Sequence, residues 1–276
     1  MGYRKPDFRM AETAKRSSPM ADGAKTSSLE RMLGVLGLFS EEHASCTPER
    51  AAEALDTSRS TTYRYFKILA DAGLVVLQAR GSYVLGPAII EFDRLIRRHD
   101  PLIEISRPVM QDLVRRTGAE TLLARLYRGK VVCIHREFSP PGFEVTYERG
   151  RPMSLFRTAT ARVILANLSP RRLRRLFDAN RSELRGAGLG DTWAIFKNNM
   201  RSIQESGHCT LRDGVDKGFS GIAAPVFGSV REVEASLCLV LRSEALRREA
   251  DPRLPALVKR GARMISAAAA DPGDIR

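Results

Sequence analysis

Apolar residues recur at helical spacing in three short segments near the N-terminus, and typical helix-start and helix-stop residues bound each segment. The first segment can take Ser27 or Ser28 as its N-cap, because a serine hydroxyl accepts a hydrogen bond from a free amide of the first turn. Thr47-Pro48 starts the second segment and Ser58 starts the third. Gly73 follows, where a helix end favours a left-handed residue. The pattern predicts helices over residues 28–39, 48–55 and 59–72.

Two short apolar runs, residues 74–77 and 82–85, follow the three helices, with a polar turn between them. Runs of this length around such a turn predict a small β-hairpin. Three helices followed by a hairpin are the outline of a winged helix-turn-helix. Gly86-Pro87 ends this unit. A further amphipathic helix over residues 88–99 leads to Asp100-Pro101, and we interpret it as a linker.

The residues after Pro101 mix helical and strand patterns. Strand patterns come as neighbouring pairs with helices grouped between them, which is typical of an α+β domain. The predicted helices are residues 102–117, 158–167, 170–178, 192–206 and 254–269. The predicted strands are residues 120–127, 130–138, 143–147, 208–211, 222–227 and 235–241.

The chain has 276 residues, more than one hydrophobic core usually serves, so two domains are expected. The first 25 residues are polar, small or charged without sustained periodicity, which is typical of a disordered or weakly ordered tail. The predicted organisation is a tail over residues 1–25, a winged helix-turn-helix domain over 26–87, a linker helix over 88–100 and a second domain over 101–276.

Composition excludes several classes of protein. No apolar run approaches the ~20 residues of a membrane span, and the start of the chain lacks the apolar stretch of a secretory signal. The four cysteines and four histidines are scattered without metal-ligand spacing. We therefore expect a cytoplasmic protein with reduced thiols, no membrane contact, no metal and no cofactor.

The formal net charge of the chain is +13, which favours contact with polyanions. The first 100 residues hold 15 basic and 13 acidic side chains, whereas residues 101–276 hold 30 and 19. Most of the excess therefore lies outside the predicted winged helix-turn-helix. Net charge does not locate a nucleic-acid site, so the indication of DNA binding comes from the helix-turn-helix motif.

The third predicted helix carries the residue types that DNA recognition requires. Phe66 and Leu69, with either Tyr65 or Ile68, supply a core face. The other positions present hydroxyl and basic side chains, which anchor phosphates and hydrogen-bond to base edges. A solvated polar face is the alternative, but the preceding helix and the hairpin favour DNA binding. The candidate DNA-binding residues are Arg59, Ser60, Thr61, Thr62, Tyr63, Arg64 and Lys67, with Arg80 from the wing.

Six segments of the chain, taken together, resemble the pattern of a known family. They are residues 28–31 (SLER), 59–64 (RSTTYR), 82–87 (SYVLGP), 150–156 (GRPMSLF), 158–162 (TATAR) and 222–226 (IAAPV). Together they resemble the isocitrate lyase regulator (IclR) family of bacterial transcription regulators, over roughly residues 28–269. In that family the segment that matches residues 59–64 is the recognition helix.

This resemblance implies a GAF-like α/β effector domain after the winged helix-turn-helix, and a homodimer or a dimer of dimers. It implies binding to double-stranded operator DNA that a small organic acid or aromatic metabolite modulates. Effectors of the family lie against the sheet near the helix that begins at Thr158, where free amides suit a carboxylate. A role as small core residues is the alternative for the two cysteines among the candidates. The candidate effector-binding residues are Thr158, Ala159, Gly221, Cys238, Cys133 and Arg125.

Two positions depart from the family pattern. Ala161-Arg162 stands where the family has glycine-lysine, and Phe156 stands where a histidine is common. These differences leave the fold prediction intact, but they weaken any transfer of known effector chemistry.

Two other function classes compete with a regulator. An enzyme is disfavoured because the sequence has no GxSxG elbow, P-loop, GxGxxG or HExxH motif. An RNA-binding or architectural protein that uses the basic C-terminal half is disfavoured because the aromatic–glycine signatures of RNA recognition motifs are absent. Selective binding to a palindromic duplex, relieved by a small molecule, separates the regulator from both.

Overall fold

The computed structural model describes residues 27–127, 129–138, 148–230, 232–244 and 253–270. Contacts within the chain divide it into two compact units, of which the first ends at Asp93 and the second begins at Arg94. Across the described ranges, every helix is too short or too polar to cross a membrane.

Three helices and a hairpin form the first unit. Helix α1 (Ser28–Gly34) continues as a short 3-10 turn to Leu38, α2 is Pro48–Ala54 and α3 is Arg59–Asp71. Strands β1 (Val75–Leu77) and β2 (Tyr83–Leu85) pair antiparallel. This is the winged helix-turn-helix that the sequence predicts.

Each helix of this unit starts at a capping residue. Ser27, rather than Ser28, caps α1 and forms a full capping box there. Thr47 and Ser58 cap α2 and α3 through their hydroxyl oxygens. Gly73 follows α3 with a φ of 68°, in the left-handed conformation that the sequence predicts.

Helix α3 turns one face into the core of the first unit. Phe66 and Leu69 are buried together with Tyr65, whereas Ile68 is 45% exposed, so Tyr65 completes the core face. The Phe66 ring stacks on the ring of Tyr83 in β2, with centroids 4.4 Å apart. This contact joins the wing to the helix.

The wing ends in a close backbone approach at Gly86. The Gly86 amide donates to the Leu74 carbonyl over 2.8 Å, and a Cβ at this position would overlap the backbone of Gly73. Glycine is therefore required here for lack of space. In the turn between the strands, Arg80 and Gly81 have left-handed φ angles of 65° and 74°.

Helix α4 (Ala88–His99) is amphipathic, yet it buries none of its residues, and the division between the units falls inside it. Its exposed apolar side chains lie at helical spacing. They are Ile90, Phe92, Leu95 and Ile96.

The second unit is built on a six-stranded antiparallel sheet with the strand order β5-β4-β3-β8-β7-β6. The strands are β3 (Glu120–Tyr127), β4 (Lys130–Glu137), β5 (Pro152–Met153), β6 (Cys209–Arg212), β7 (Phe219–Phe227) and β8 (Val233–Arg242). The helices are α5 (Pro101–Thr117), α6 (Ala159–Ala166), α7 (Pro170–Ala179), α8 (Arg181–Gly186), α9 (Trp193–Ser206) and α10 (Arg253–Ala270).

Side chains alternate across this sheet, so it separates two cores. Helices α5 and α10 cover one face, where they pack on Leu123 and Leu237. Helix α6 covers the other face and packs on Leu122 and Cys238. A third apolar cluster joins α7, α8 and α9 around Phe177.

The α+β prediction and its helices are confirmed, and two details differ. The short elements α8 and β5 were not predicted, because neither contains enough residues for a periodic pattern. Strand β7 begins at Phe219 rather than 222, since Ser220 and Gly221 interrupt the apolar run. The strand predicted over residues 143–147 lies outside the described residues.

Candidate functional site

The outward face of α3 gathers most of the predicted DNA-binding side chains. Ser58 caps the helix, and its first turn holds no acidic residue. The exposed positions lie opposite the buried face, so a phosphate or a base edge can reach them. They are Arg59, Ser60, Tyr63, Arg64 and Lys67, with Thr61 half-buried beside them.

Thr62 is a correction to this set. Its side chain is completely buried, and its hydroxyl donates to the Ser58 carbonyl over 3.0 Å. It lies on the core side of the helix together with Phe66, four positions later. The prediction that Thr62 contacts DNA is therefore wrong, and its role is to pack and brace the first turn.

Tyr63 also has an intramolecular partner. Its hydroxyl donates to the Glu49 carboxylate of α2 over 2.8 Å. Hydrogen bonds from the backbone amide of Glu49 and from Tyr63 lower the pKa of that carboxyl group, and the same contact raises the pKa of the Tyr63 hydroxyl. The bond spans two exposed side chains and holds α2 against the exposed side of α3. Arg80 lies apart from these residues, exposed in the turn of the wing.

A pocket in the second unit lies at the N-terminus of α6, against strands β3, β6, β7 and β8. Its cavity volume is about 20 Å³, room for about one water molecule, and the free space reaches about 350 Å³ only when all the space open to solvent is counted. Four predicted effector residues line it: Thr158, Ala159, Gly221 and Cys238. Further lining residues are Leu122, Arg157, Thr160, Leu211, Phe219 and Val240.

The polar end of this pocket suits an anion. The Thr158 hydroxyl accepts the Ala161 amide over 3.1 Å, which leaves the first-turn amides of Ala159 and Thr160 without an acceptor inside the helix. The lining residues include no carboxylate, and Arg157 lies exposed at the rim. The partial positive charge of the helix terminus therefore faces this space, whereas the Arg157 guanidinium donates from Nη2 to the Gly186 carbonyl over 3.1 Å.

The floor of the pocket is apolar. Leu122 and Val240 contribute hydrocarbon, and burial raises the pKa of the Cys238 thiol to about 12, so Cys238 stays neutral. Gly221 keeps the floor open, because a Cβ there would touch Ala159 Cβ and Cys238 Sγ, each at 3.4 Å. Leu122 lies directly opposite Cys238 in the β3–β8 ladder. Sequence reasoning missed it, since strand pairing is not visible in a linear pattern.

Two predicted effector residues lie elsewhere. Cys133 is buried in β4, on the far side of β3 from the pocket, and does not line it. Arg125 of β3 is three residues beyond Leu122, and this odd offset turns its side chain to the opposite face of the sheet. There it binds the carboxylates of Asp100 and Glu234. Neither residue lines this pocket, because Cys133 lies one strand away on the same face of the sheet and Arg125 lies on the opposite face.

No three His, Cys, Asp or Glu side chains are grouped for metal binding within the described ranges.

Comparison with known families decides between the competing classes. The family model for the bacterial transcriptional regulator IclR C-terminal domain matches residues 95–267, and the model for the IclR helix-turn-helix domain matches residues 28–79. The chain belongs to the IclR family. IclR-family proteins of this architecture are transcriptional regulators with a helix-turn-helix DNA-binding domain, so the resemblance predicted from the sequence is confirmed.

Curated relatives in the IclR family are regulators rather than enzymes. The chain is 24% identical to the HTH-type transcriptional regulator BhcR of Paracoccus denitrificans, over 86% of this chain and 84% of that protein. It is 25% identical to the HTH-type transcriptional regulator XynR of Escherichia coli K12, over 77% of this chain and 84% of XynR.

Solved IclR-family structures share the fold. A putative IclR regulator from Silicibacter sp. TM1040 has a TM-score of 0.75 at 19% identity, with 88% of this chain and 96% of that chain covered. An IclR homologue from Microbacterium hydrocarbonoxydans, solved in complex with 4-hydroxybenzoate, has a TM-score of 0.68 at 18% identity, with 87% and 98% covered.

The burial of the cysteines predicts their reactivity. All four are free and buried, and burial raises the pKa of Cys133 and Cys209 to about 11 and that of Cys238 to about 12. Since the thiolate is the reactive form, less than about 0.1% of each of these thiols is reactive at pH 8. Iodoacetamide at pH 8, followed by mass spectrometry, should label them only after unfolding in urea. Rapid labelling of Cys238 in the folded protein would contradict this account of the pocket floor.

Proposed function

We propose that this regulator binds operator DNA through α3 and the wing, and that a small organic or aromatic carboxylate at the N-terminus of α6 changes its operator affinity. The observation that carries the effector proposal is the pocket itself, with an acid-free polar end above an apolar floor. A carboxylate meets the amides of Ala159 and Thr160, and a hydrocarbon or aromatic body lies on Leu122 and Val240.

The DNA-reading surface that we propose consists of the exposed residues of α3 with Arg80 of the wing. Arg59, Arg64 and Lys67 supply positive charge on a helix that holds no acidic residue between them. Arginine on such a helix binds guanine through two hydrogen bonds or holds a phosphate, and hydroxyl groups bind either. Ser60, Thr61 and Tyr63 provide those hydroxyls, and Thr62 is excluded because it is buried.

Replacing Arg64 by alanine should weaken specific operator binding. We expect the operator Kd to rise about tenfold or more, because one base- or phosphate-binding guanidinium is lost. The measurement is fluorescence anisotropy with the DNA upstream of the protein's own gene, in excess unrelated duplex and at two salt concentrations. Arg263→Ala on α10 removes the same charge from an exposed position of the second unit and serves as the matched control. Equal affinity of the Arg64 variant and the parent would remove Arg64 from the DNA-reading surface.

The effector class that we propose is a compact monocarboxylate, aliphatic or aromatic. The pocket is nearly closed in the chain without ligand, so a ligand has to be compact and has to widen the space between α6 and the sheet, and the exposed Arg157 lies at the rim. The IclR homologue with bound 4-hydroxybenzoate provides a first compound of this chemistry to try. A panel of benzoates and short aliphatic acids in thermal-shift assays identifies binders, since a ligand that binds only the folded state raises its melting temperature.

Replacing Gly221 by alanine should block the effector response without harming the fold. The added methyl group reaches contact distance from Ala159 Cβ and Cys238 Sγ, so it fits the folded chain but occupies ligand space. We expect effector affinity to fall about tenfold or more, while the melting temperature stays unchanged. Gly37→Ala, at a glycine with open space around it, is the control. Undiminished effector affinity in calorimetry would place the ligand elsewhere.

We further propose that the chain forms a homodimer through the apolar faces of α1 and α4. Leu29 and Leu33 of α1 are 69% and 58% exposed, and Ile90 of α4 is 73% exposed. A surface helix of a soluble protein normally buries its apolar side, so these faces fit a second copy of the chain. The same pairing would present two copies of α3 to an inverted-repeat operator.

Replacing Ile90 by glutamate should weaken this dimer. The side chain is exposed in the single chain, so the substitution should leave each folded unit intact, and it should raise the dimer Kd about tenfold or more by placing a charge in an apolar interface. Sedimentation equilibrium measures the effect. Val230→Glu is the matched control, because Val230 is 77% exposed in the second unit. An Ile90 variant that associates like the parent would exclude this face of α4.

A further inference from the structure

Arg125 connects three elements of the second unit. From β3 its Nη1 donates to Asp100 Oδ2 over 3.0 Å, and its Nη2 donates to Glu234 Oε1 of β8 over 2.8 Å. Its Nε is buried and has no hydrogen-bond partner among the described residues. The two carboxylates therefore fix the orientation of a planar guanidinium whose terminal nitrogens cannot move independently. We call Arg125, Asp100 and Glu234 the junction clamp.

Asp100 belongs to two helices at once. Its amide donates to the Ile96 carbonyl over 2.9 Å and closes the last turn of α4. Its carboxylate Oδ1 accepts the Leu102 amide over 3.0 Å and caps α5, while Oδ2 binds Arg125. A displacement of the Arg125 guanidinium therefore acts directly on the junction between α4 and α5. Helix α4 continues without a break into the first unit.

The other end of the clamp lies on the strands that floor the pocket. Leu122 of β3 and Cys238 of β8 are directly opposite each other in the ladder, and both line the pocket. Arg125 is paired with Ala235 in the same ladder, next to Glu234. The two pairs are three residues apart, about 10 Å along the strands. We expect a ligand that spreads or twists β3 against β8 at the pocket to move Arg125 relative to Glu234, which lies just beyond the last pair of the ladder.

The clamp is sheltered enough to transmit such a change. The side chains of Arg125, Asp100 and Glu234 are 31%, 12% and 39% exposed, so water screens the pair of Arg125 and Asp100 only in part, whereas Glu234 is open to solvent. By contrast, Arg174, Asp178 and Arg181 form a surface cluster of similar chemistry, in which each side chain is more than 40% exposed. That cluster provides a matched control.

We propose that Arg125 is a positioning residue that couples the effector pocket to the α4–α5 junction, through Asp100 on one side and Glu234 on the other. The proposal rests on the proposed function, because it assigns the route by which occupancy of that pocket acts on the linker. It predicts that the coupling is lost when either carboxylate is neutralised, even though the pocket, the helix cap and the DNA-reading surface remain.

The first test needs neither effector nor operator. It uses Gly221→Ala to fill the pocket and hydrogen–deuterium exchange of the full chain to follow peptides that cover residues 96–104. We expect Gly221→Ala to change exchange at the junction about twofold or more in the parent, and to change it much less in an Asp100→Asn background. Asparagine still caps a helix, so this substitution removes charge and keeps the cap.

Two further variants make this result decisive. Glu234→Gln leaves Asp100 untouched and should abolish the coupling as well, which separates lost coupling from a loosened junction. Asp178→Asn neutralises the acid of the control cluster and should leave the coupling at its parental size. Two results overturn the proposal. One is unchanged exchange at the junction when Gly221→Ala is introduced into the parent. The other is a change of exchange in the Asp100→Asn and Glu234→Gln backgrounds that is as large as in the parent.

The second test uses 4-hydroxybenzoate as the probe. The test applies if calorimetry shows that the probe binds the parent and anisotropy shows that it changes operator affinity. The Asp100→Asn and Glu234→Gln variants should then bind the probe with a Kd within about twofold of the parental value. The factor by which the probe changes their operator affinity should be smaller by about threefold or more. A full effect on DNA in both variants overturns the proposal. If the probe does not bind, that result bears on the proposed effector class, and the exchange experiment alone decides the clamp.

Discussion

The alternation of side chains across β3 and β8 is the constraint on which the second unit depends. One residue along either strand moves a side chain from the face under α6 to the face under α5 and α10. Leu122 and Cys238 therefore floor the pocket, while Arg125 lies on the opposite face and binds Asp100 at the start of α5. Glu234 lies at a register shift between β7 and β8, and its carboxylate also binds Arg125. The two strands pair from Glu120–Val240 to Arg125–Ala235, so the ladder connects the pocket floor to Arg125. The pocket and Arg125 thus share one ladder.

The first unit follows a similar division on a single helix. Tyr65, Phe66 and Leu69 bury one side of α3, and that packing leaves the basic and hydroxyl side chains on the other. The charge of the DNA-reading surface is local, because the first 100 residues are nearly neutral in sum. The excess positive charge of the second unit favours encounter with DNA, but it carries no sequence information. Recognition therefore depends on which few groups α3 exposes.

Signals that act over one helical turn or one reverse turn were readable from the sequence. Thr47, Ser58 and Gly73 each took the capping or terminating position that its chemistry favours. The resemblance also placed Thr158 and Gly221 correctly at one pocket, because it carried three-dimensional information that spacing lacks. What failed depended on burial or on the partner strand. The position of Thr62 on α3 places its side chain in the core. Arg125 binds two carboxylates that are 25 and 109 residues away in the chain, and a local sequence pattern does not show such contacts.

The central claim is that one chain holds a DNA-reading helix and an effector pocket that bias each other. Thermodynamic linkage makes this claim measurable from both sides. The most direct measurement compares two ratios. The first is the affinity of a carboxylate effector for the protein saturated with operator, divided by its affinity for the free protein. The second is the operator affinity with that effector, divided by the operator affinity without it. The account predicts that the two ratios are equal and differ from one by about fivefold or more. An effector that binds in the pocket with the same affinity whether or not operator is present would contradict it.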